Sequence, residues 1–472
     1  MGTYDPSISD NLFRIQELRG VARWWLRAII ADILGFKKKK IIDLQEKIFG
    51  GTSSSSLIHF RSTIPHTDEC LETIIRSARV GWYRSKYVAQ IAWHPRLNIL
   101  FMEELKEIRG VLKKILRHTA STKIHAKLWY HLQKKLNRDL SRMFKYYSLT
   151  LEVYTPTKSA DNIIWKRIVL GLYALALGLA LSGLGKGSRR GFGAFSFRID
   201  FHPLKKDAIW GRLDGEIKDK MNSLEEAIVR LGSGDLGTLC NILERLYYAA
   251  RELTVSITKN TIDKPTDTPP IYSLSPNNFS IHLIPIDKIM IPSKEYGNIY
   301  FKEWESIVTI CNILFCRTTF HPLALRLLGK LGVRTLPSIL QDVEGRTAKR
   351  LGSYILGLPR IGKPREEEQP YFYTIERHDK HITIRTDVEE KFTGFKPAEG
   401  DRRASPIILT LLNHKILALT SIFSEDFPKE IVWGTTKRRE RIQVLKVKDA
   451  FKDIKGYLNT LTERLNGEIV KV

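Results

Sequence analysis

Residues 162–200, NIIWKRIVLGLYALALGLALSGLGKGSRRGFGAFSFRID, join three predicted elements in a fixed order. The apolar run Ile168–Leu181 predicts a buried helix and is short for a membrane span. A glycine-rich loop follows, and the alternating segment at 194–200 predicts a strand. The stretch therefore predicts helix, loop and strand, with the loop as the first candidate site.

The glycine-rich loop, residues 183–193, combines close backbone approach with positive charge. Glycine allows positive φ and adds no side-chain bulk, while Lys186, Arg189 and Arg190 supply charge. This combination suits a polyanion lying along the backbone; the alternative is a surface turn with solvated charges. The candidate binding residues of this loop are Gly183, Gly185, Lys186, Gly187, Ser188, Arg189, Arg190, Gly191, Phe192 and Gly193.

Two familiar phosphate-binding loops do not fit this sequence. A P-loop needs Ser or Thr after its glycine–lysine pair, but Lys186 is followed by Gly187. A dinucleotide fingerprint that starts at Gly185 would have Arg190 at its third glycine position, and it would follow a strand rather than a helix. An ATP or NAD loop is therefore not expected, and no cofactor is predicted.

The charge of the chain favours a nucleic-acid partner. Its 472 residues carry 76 Lys and Arg against 51 Asp and Glu, a net charge of +25. Residues 1–200 hold 34 basic and 16 acidic residues, and such a basic region indicates nucleic acid or another anionic surface. The polar start MGTYDPSISD predicts no signal peptide, so a membrane is the less favoured partner.

The four cysteines carry no metal or disulfide signature. Cys70, Cys240, Cys311 and Cys316 form no C-x-x-C pair. We therefore expect no metal site, no disulfide framework and a cytoplasmic location.

Residues 17–35, ELRGVARWWLRAIIADILG, predict an amphipathic helix. Arg19, Arg23 and Arg27 recur every four residues and share one face, which is either a solvated stripe or a binding surface. Trp24 and Trp25 point about 100° apart on a helix. One of them is expected in the core and the other on the surface, and the sequence leaves open which.

The order of predicted elements divides the chain into three regions. Residues 1–202 predict a helix, a loop-and-turn segment at 36–56, a strand at 57–62, a helical insertion at about 66–146, a strand at 147–154 and the stretch quoted above. If a strand preceded the first helix, this order would be the β-α-β-β-α-β pattern of a ferredoxin-like domain. The N-terminal residues MGTYDPSISD do not resemble such a strand. Residues 203–270 predict a helical connector, and residues 271–472 predict a second domain.

The second domain is expected to contain both strands and helices. Its predicted strands lie at 279–285, 371–376, 381–386, 407–412 and 415–420, and its predicted helices at 302–315, 321–330 and 446–465.

Several short motifs together resemble one protein family. They are the Arg-Trp-Trp-x-Arg core formed by Arg23, Trp24, Trp25 and Arg27, the following turn formed by Glu46, Ile48, Phe49 and Gly50, the glycine-rich loop SGLGKGSRRGFG, LGLP at 356–359 and RRASPIIL at 402–409. This set is similar to the RAMP-superfamily head subunit, numbered one, of the Cmr complex, which is the type III-B CRISPR effector. The resemblance implies an α+β fold of two tandem ferredoxin-like domains, with the helical insertion inside the first.

The resemblance also implies a non-catalytic RNA-binding subunit of a ribonucleoprotein for antiviral defence. It would sit at the head of the complex, near the 3′ region of the guide RNA and the 5′ region of the target RNA, beside the backbone RAMP subunit and the related terminal RAMP subunit. The glycine-rich loop, the arginine stripe and the two tryptophans would then contact RNA. Arg402 and Arg403 would contact either RNA or a neighbouring subunit.

Two other functions compete with this interpretation. One is a RAMP-type endoribonuclease that processes guide RNA precursors, which would usually need general acid–base groups. Its candidate histidines stand in no distinctive pattern, and the basic motifs have no paired carboxylates nearby; they are His59, His66, His94, His118, His125 and His131. The other is a structural cap whose basic surface binds a protein.

Overall fold

The computed structural model describes residues 15–63, 150–184, 208–259, 272–300 and parts of 360–472, with short gaps inside these ranges. It contains both helices and sheets, so the predicted α+β class is confirmed at that level. The chain groups into two compact units, one formed by residues 1–17 and 60–154 and the other by residues 18–59 and 155–472. The domain boundaries at 202 and 270 stay predictions.

Two helices begin the described chain, α1 (Ile15–Ile30) and α2 (Lys38–Phe49). The first confirms the predicted amphipathic helix. The second corrects the expectation of loop and turn in this segment. Ile41, Leu44 and Ile48 recur at helical spacing and are buried, so their burial outweighs the run of lysines at the start of the helix.

The predicted apolar helix is α3 (Asn162–Ser182). Asp161 caps its start, because its carboxylate accepts hydrogen bonds from the backbone N–H of Ile163 at 2.8 Å and of Ile164 at 3.4 Å. By length and composition α3 could cross a membrane. Its side chains from Ile168 onward are nearly all buried by this same chain, however, as expected of a core helix.

Three helices occupy the region predicted as a helical connector: α4 (Ala208–Arg212), α5 (Gly215–Leu231) and α6 (Leu236–Thr258). The carboxylate of Asp235 caps α6 by accepting a hydrogen bond from the backbone N–H of Thr238 at 2.7 Å. Both α5 and α6 pack against α3, so the three long helices form one layer.

Two strands lie within the first half of the chain, β1 (His59–Thr63) and β2 (Thr150–Tyr154). They pair in a two-stranded sheet and confirm the strands predicted at 57–62 and 147–154. The predicted insertion between them and the strand predicted at 194–200 lie outside the described residues.

The remaining strands follow in chain order and are β3 (Phe279–Pro285), β4 (Met290–Ser293), β5 (Gly297–Tyr300), β6 (Arg360–Gly362), β7 (Phe372–Arg377), β8 (Lys380–Arg385), β9 (Thr393–Pro397), β10 (Ile407–Leu412), β11 (Ile416–Ile422), β12 (Ile431–Gly434), β13 (Ile442–Gln443) and β14 (Glu468–Val470). All five predicted strands of this region are confirmed. The helices predicted at 302–315 and 321–330 lie outside the described residues, and the described residues between 455 and 463 are helical.

The largest described sheet is antiparallel and has the strand order β10-β11-β3-β14. Its strand β3 is covered on both faces. Phe279 stacks on Tyr247 of α6 with ring centroids 5.8 Å apart, whereas His282 on the opposite face lies 3.0 Å from Thr462. Both faces of this part of the sheet are covered, so every residue of β10 and β11, and every residue of β3 except Pro285, is buried.

Candidate nucleic-acid interface

The predicted arginine stripe lies along α1. Arg27 is exposed, and Arg19 and Arg23 are half-buried. Within the described part of the chain, no acidic side chain forms an ion pair with any of the three. Among the described residues the stripe is therefore a row of cations without ion-pair partners.

Arg23 connects the stripe to the turn that follows α2. Its Nη2 donates hydrogen bonds to the carbonyl oxygens of Phe49 at 3.0 Å and of Gly50 at 2.6 Å. Gly50 has a φ of 75° and donates its own N–H to the carbonyl of Glu46, which ends the helix. Two motifs of the predicted family, the arginine–tryptophan core and the Phe-Gly turn, are thus in direct contact.

The electrostatic environment of Arg23 shows how crowded the positive charges are. Partial burial lowers the pKa of the Arg23 guanidinium, and the positive charge of Arg19 lowers it further, while Glu46 opposes the shift. The Nε atoms of Arg19 and Arg23 are buried and have no hydrogen-bond partner among the described residues. An anion beside this stripe would relieve the repulsion between the arginines.

The two tryptophans have different roles. Trp25 is 1% exposed, and its indole N–H donates a hydrogen bond to Ser182 Oγ at 3.1 Å. Trp24 is half-buried and packs between Trp25 and Tyr272, with ring centroids at 5.4 and 5.7 Å. Trp25 is therefore the core residue that the sequence left unassigned. Its predicted contact with RNA is corrected, since the ring is buried in the core.

The glycine-rich loop begins beside this tryptophan. Gly183 ends α3 with a φ of 66°, directly after the serine that accepts the Trp25 hydrogen bond. A Cβ at Gly178, one turn earlier, would lie 2.8 Å from Trp25 Cδ1 and 2.9 Å from Val21 Cγ1, so α1 and α3 touch at a position that requires glycine. The start of the loop is thereby fixed against the side of α1 that carries Val21 and Trp25, which lies about 200° around the helix from Arg23.

Several predicted site residues lie outside the described part of the chain. These are Gly185, Lys186, Gly187, Ser188, Arg189, Arg190, Gly191, Phe192, Gly193, Arg402 and Arg403. Their role in RNA binding stays a prediction.

The candidate acid–base groups are placed only in part. His59 Nε2 lies 3.0 Å from the carbonyl oxygen of Ser56, and the other five candidate histidines lie outside the described residues. Among the described residues, no group of three or more His, Cys, Asp or Glu side chains could hold a metal ion.

The start of α2 carries a feature that was not predicted from the sequence. Lys37, Lys38, Lys39 and Lys40 are all exposed at the start of α2. The run FKKKK was visible in the sequence, but it was assigned to a loop because the helical spacing of the apolar residues behind it was missed.

Comparison with known proteins agrees with the motifs assembled here. Residues 7–196 match the family model of the RAMP superfamily. These residues are here called the RAMP region. The RAMP region contains α1, α2, α3 and the whole glycine-rich loop, so the contacts between these motifs are made inside it.

A curated relative lies in the predicted family. The CRISPR system Cmr subunit Cmr1-2 of Pyrococcus furiosus is 22% identical over 187 residues, which cover 40% of this chain and 83% of the relative. The predicted resemblance to the Cmr RAMP family is confirmed by this match together with the RAMP region.

Two solved structures are similar to the chain at low scores. A chain of the cryo-EM structure of the type III-B Cmr-beta bound to cognate target RNA and AMPPnP has a TM-score of 0.42 at 14% identity, covering 96% of this chain and 94% of that chain. The crystal structure of Cmr1 from Pyrococcus furiosus in the apo form has a TM-score of 0.38 at 13% identity, covering 96% and 89%.

Proposed function

We propose that this protein is an RNA-binding, non-catalytic RAMP subunit of a type III-B CRISPR effector complex. The observation that carries the proposal is the meeting of three motifs: Arg23 on α1 binds the Phe49–Gly50 turn, and Trp25 binds the serine that precedes the glycine-rich loop. The RAMP match over residues 7–196 and the Cmr relative support the same assignment.

The geometry suits RNA because it combines unpaired positive charge with a glycine-rich backbone. The arginines of α1 would donate to phosphate oxygens, and the loop after Gly183 would bring backbone amides close to the strand. Contacts of this kind fix the position of an RNA without reading its bases. Sequence recognition would then come from pairing between guide and target RNA.

The proposed fold is two tandem ferredoxin-like domains, with boundaries near 202 and 270. The sheet order β10-β11-β3-β14 supports this for the second domain. Numbered within that sheet along the chain, the strands lie in the order two, three, one, four. The third and fourth are separated by β12, β13 and a helical stretch, whose described residues lie between 455 and 463. A central first strand paired with the third and the last is the arrangement that two interleaved β-α-β units produce.

The proposed partners are guide RNA, target RNA and other Cmr subunits, with the head of the complex as the location in the assembly and the cytoplasm as the location in the cell. The Cmr relative and the RNA-bound Cmr structures motivate this placement. The endoribonuclease alternative is not favoured by any contact among the described residues.

Purification from the native cell tests the proposal. We expect the protein to copurify with other RAMP subunits and with a short guide RNA. We also expect the purified chain to leave RNA uncut with or without divalent metal. A lone monomer free of RNA, or discrete RNA cuts that vanish when one histidine is replaced, would overturn it.

A further inference from the structure

Four consecutive lysines at the start of α2, Lys37 to Lys40, form a second basic surface, here called the lysine cluster. All four side chains are exposed, and none forms an ion pair or a side-chain hydrogen bond among the described residues. Lys37 is the N-cap residue and makes no side-chain capping bond, and the first turn of α2 contains no acidic residue. The described chain therefore supplies no anion to this cluster.

The position of these lysines is electrostatically unfavourable within the helix. The N-terminus of an α-helix carries partial positive charge, so acidic residues stabilise it and lysines do not. Buried Ile41, Leu44 and Ile48 hold α2 in place despite this repulsion. A surface that keeps four like charges at the wrong end of a helix indicates a partner that neutralises them.

A short segment of chain links the lysine cluster to the arginine stripe of α1. Exposed Arg27 lies in the last turn of α1, and a tight turn through Gly35 and Phe36, both with positive φ, leads from there to Lys37. At the other end of α2, Arg23 binds the carbonyl oxygen of Phe49. The start of α2 thus follows α1 after a short turn and its end contacts α1, so the stripe and the cluster lie on one pair of helices, here called the α1–α2 hairpin.

The chemistry of the surface favours a flexible phosphate backbone as the partner. Four successive residues at the start of a helix fan out by about 100° each, so their ammonium groups point in different directions. Lysine acts as a point charge without a fixed fork geometry, which suits phosphates along a mobile strand. A protein interface usually has apolar or aromatic anchors, and none of the large apolar side chains exposed among the described residues lies on α1 or α2.

We propose that the lysine cluster binds single-stranded RNA and extends the RNA-binding surface of the arginine stripe, along the α1–α2 hairpin, to Lys37–Lys40. This inference rests on the proposed RNA-binding function. It adds a contact surface that none of the predicted site residues includes.

The test compares the full chain with the variant K37Q/K38Q/K39Q/K40Q, because glutamine removes the charge and keeps helix propensity. Binding of a short labelled single-stranded RNA of mixed sequence is titrated at several salt concentrations. We expect affinity to fall roughly tenfold or more near 0.1 M salt, and the log–log salt slope to become shallower by about 0.7 per lost contact, or about 3 for all four.

A matched control removes the same charge from scattered exposed positions. The variant R212Q/K259Q/K415Q/K471Q changes four exposed basic residues outside the hairpin. We expect its salt slope to stay close to that of the unmodified chain. Circular dichroism and thermal unfolding of both variants check that the helices are intact.

Each outcome separates the two proposals. If the unmodified chain binds RNA and the lysine variant matches it in affinity and slope, the lysine cluster is not an RNA contact and the proposed function stands. If the unmodified chain binds no RNA, both fail. If the lysine variant loses binding to polyglutamate but keeps its RNA affinity and slope, the cluster binds an acidic protein and the inference is overturned.

Discussion

Two groups of arginines in this chain differ in whether an acidic side chain balances their positive charge. Arg251 on α6 is 6% exposed and forms two hydrogen bonds with Asp32, from Nη1 at 3.0 Å and from Nη2 at 2.7 Å. Arg19 and Arg27 on α1 have no acidic partner in the described part of the chain. Where an arginine belongs to the core, the chain supplies its anion; where the anion is missing, we expect a ligand to supply it.

Removing the anion from the core pair should have the largest effect. Asp32→Ala leaves the Arg251 guanidinium buried without its counter-charge, and we expect the free energy of unfolding to fall by about 3–5 kcal/mol. Urea unfolding followed by circular dichroism measures the change.

A double variant sharpens this comparison. Asp32→Leu with Arg251→Met removes both charges and keeps an apolar volume, so most of the stability should return. A double variant that is as unstable as Asp32→Ala would show that the ion pair itself, and not the unpaired charge, determines the loss.

The buried histidine of the sheet should make stability depend on pH. His282 is fully buried between Ser280 and Thr462, and burial, followed by the charge of Lys455, lowers its pKa from 6.5 to about 4. Between these values the unfolded chain binds a proton that the folded chain does not. Stability should therefore fall by up to about 3 kcal/mol as the pH drops from 6.5 to 4, and stop changing through this group below that.

The variant His282→Asn isolates this contribution from that of the carboxylates. Urea unfolding at a series of pH values should show a smaller loss of stability between pH 6.5 and 4 than in the unmodified chain. Equal slopes for the two proteins would mean that His282 is protonated without penalty.

The contact between α1 and α3 should show an intermediate effect. A methyl group at Gly178 would meet the rigid indole of Trp25, so Gly178→Ala should reduce the free energy of unfolding by about 1–3 kcal/mol. Gly211→Ala is the matched control, since no atom lies within 4 Å of a Cβ there. Similar thermal midpoints for the two variants would contradict the close approach of α1 and α3.

The smallest change in stability is expected at the glycine-rich loop, where the effect on RNA should be large. The variant K186A/R189A/R190A should change the free energy of unfolding by less than about 0.5 kcal/mol. Its salt slope for single-stranded RNA should become shallower by about 2, with a similar loss for unrelated sequences. Unchanged affinity and slope in a folded variant would mean that the loop docks a neighbouring subunit instead.

The sequence predicted the elements whose patterns are local. The apolar run of α3, the alternation in β1 and β2 and the strands β3, β10 and β11 were identifiable because each is specified by its own residues. The wrong prediction of loop and turn at α2 also had a local cause. Four lysines at the start of the helix and a serine-rich segment after it hid the helical spacing of Ile41, Leu44 and Ile48.

Contacts between distant segments could not be predicted from patterns. Helical geometry placed Trp24 and Trp25 on different faces, but which one entered the core depends on Ser182 and Gly178 of α3. The ion pair between Asp32 and Arg251 cannot be predicted from the sequence around either residue, since each alone resembles a charged surface residue.

That partnership has a consequence for the synthesis of the protein. Asp32 and Arg251 are separated by 219 positions, so the ribosome needs about 10–40 s to supply the second after the first. Until then α1 also lacks the backbone hydrogen bond from Leu274 to Ala28. The apolar face of α1 can pack against α3 once residues 162–182 have emerged, but the Asp32 carboxylate stays unpaired until Arg251 follows.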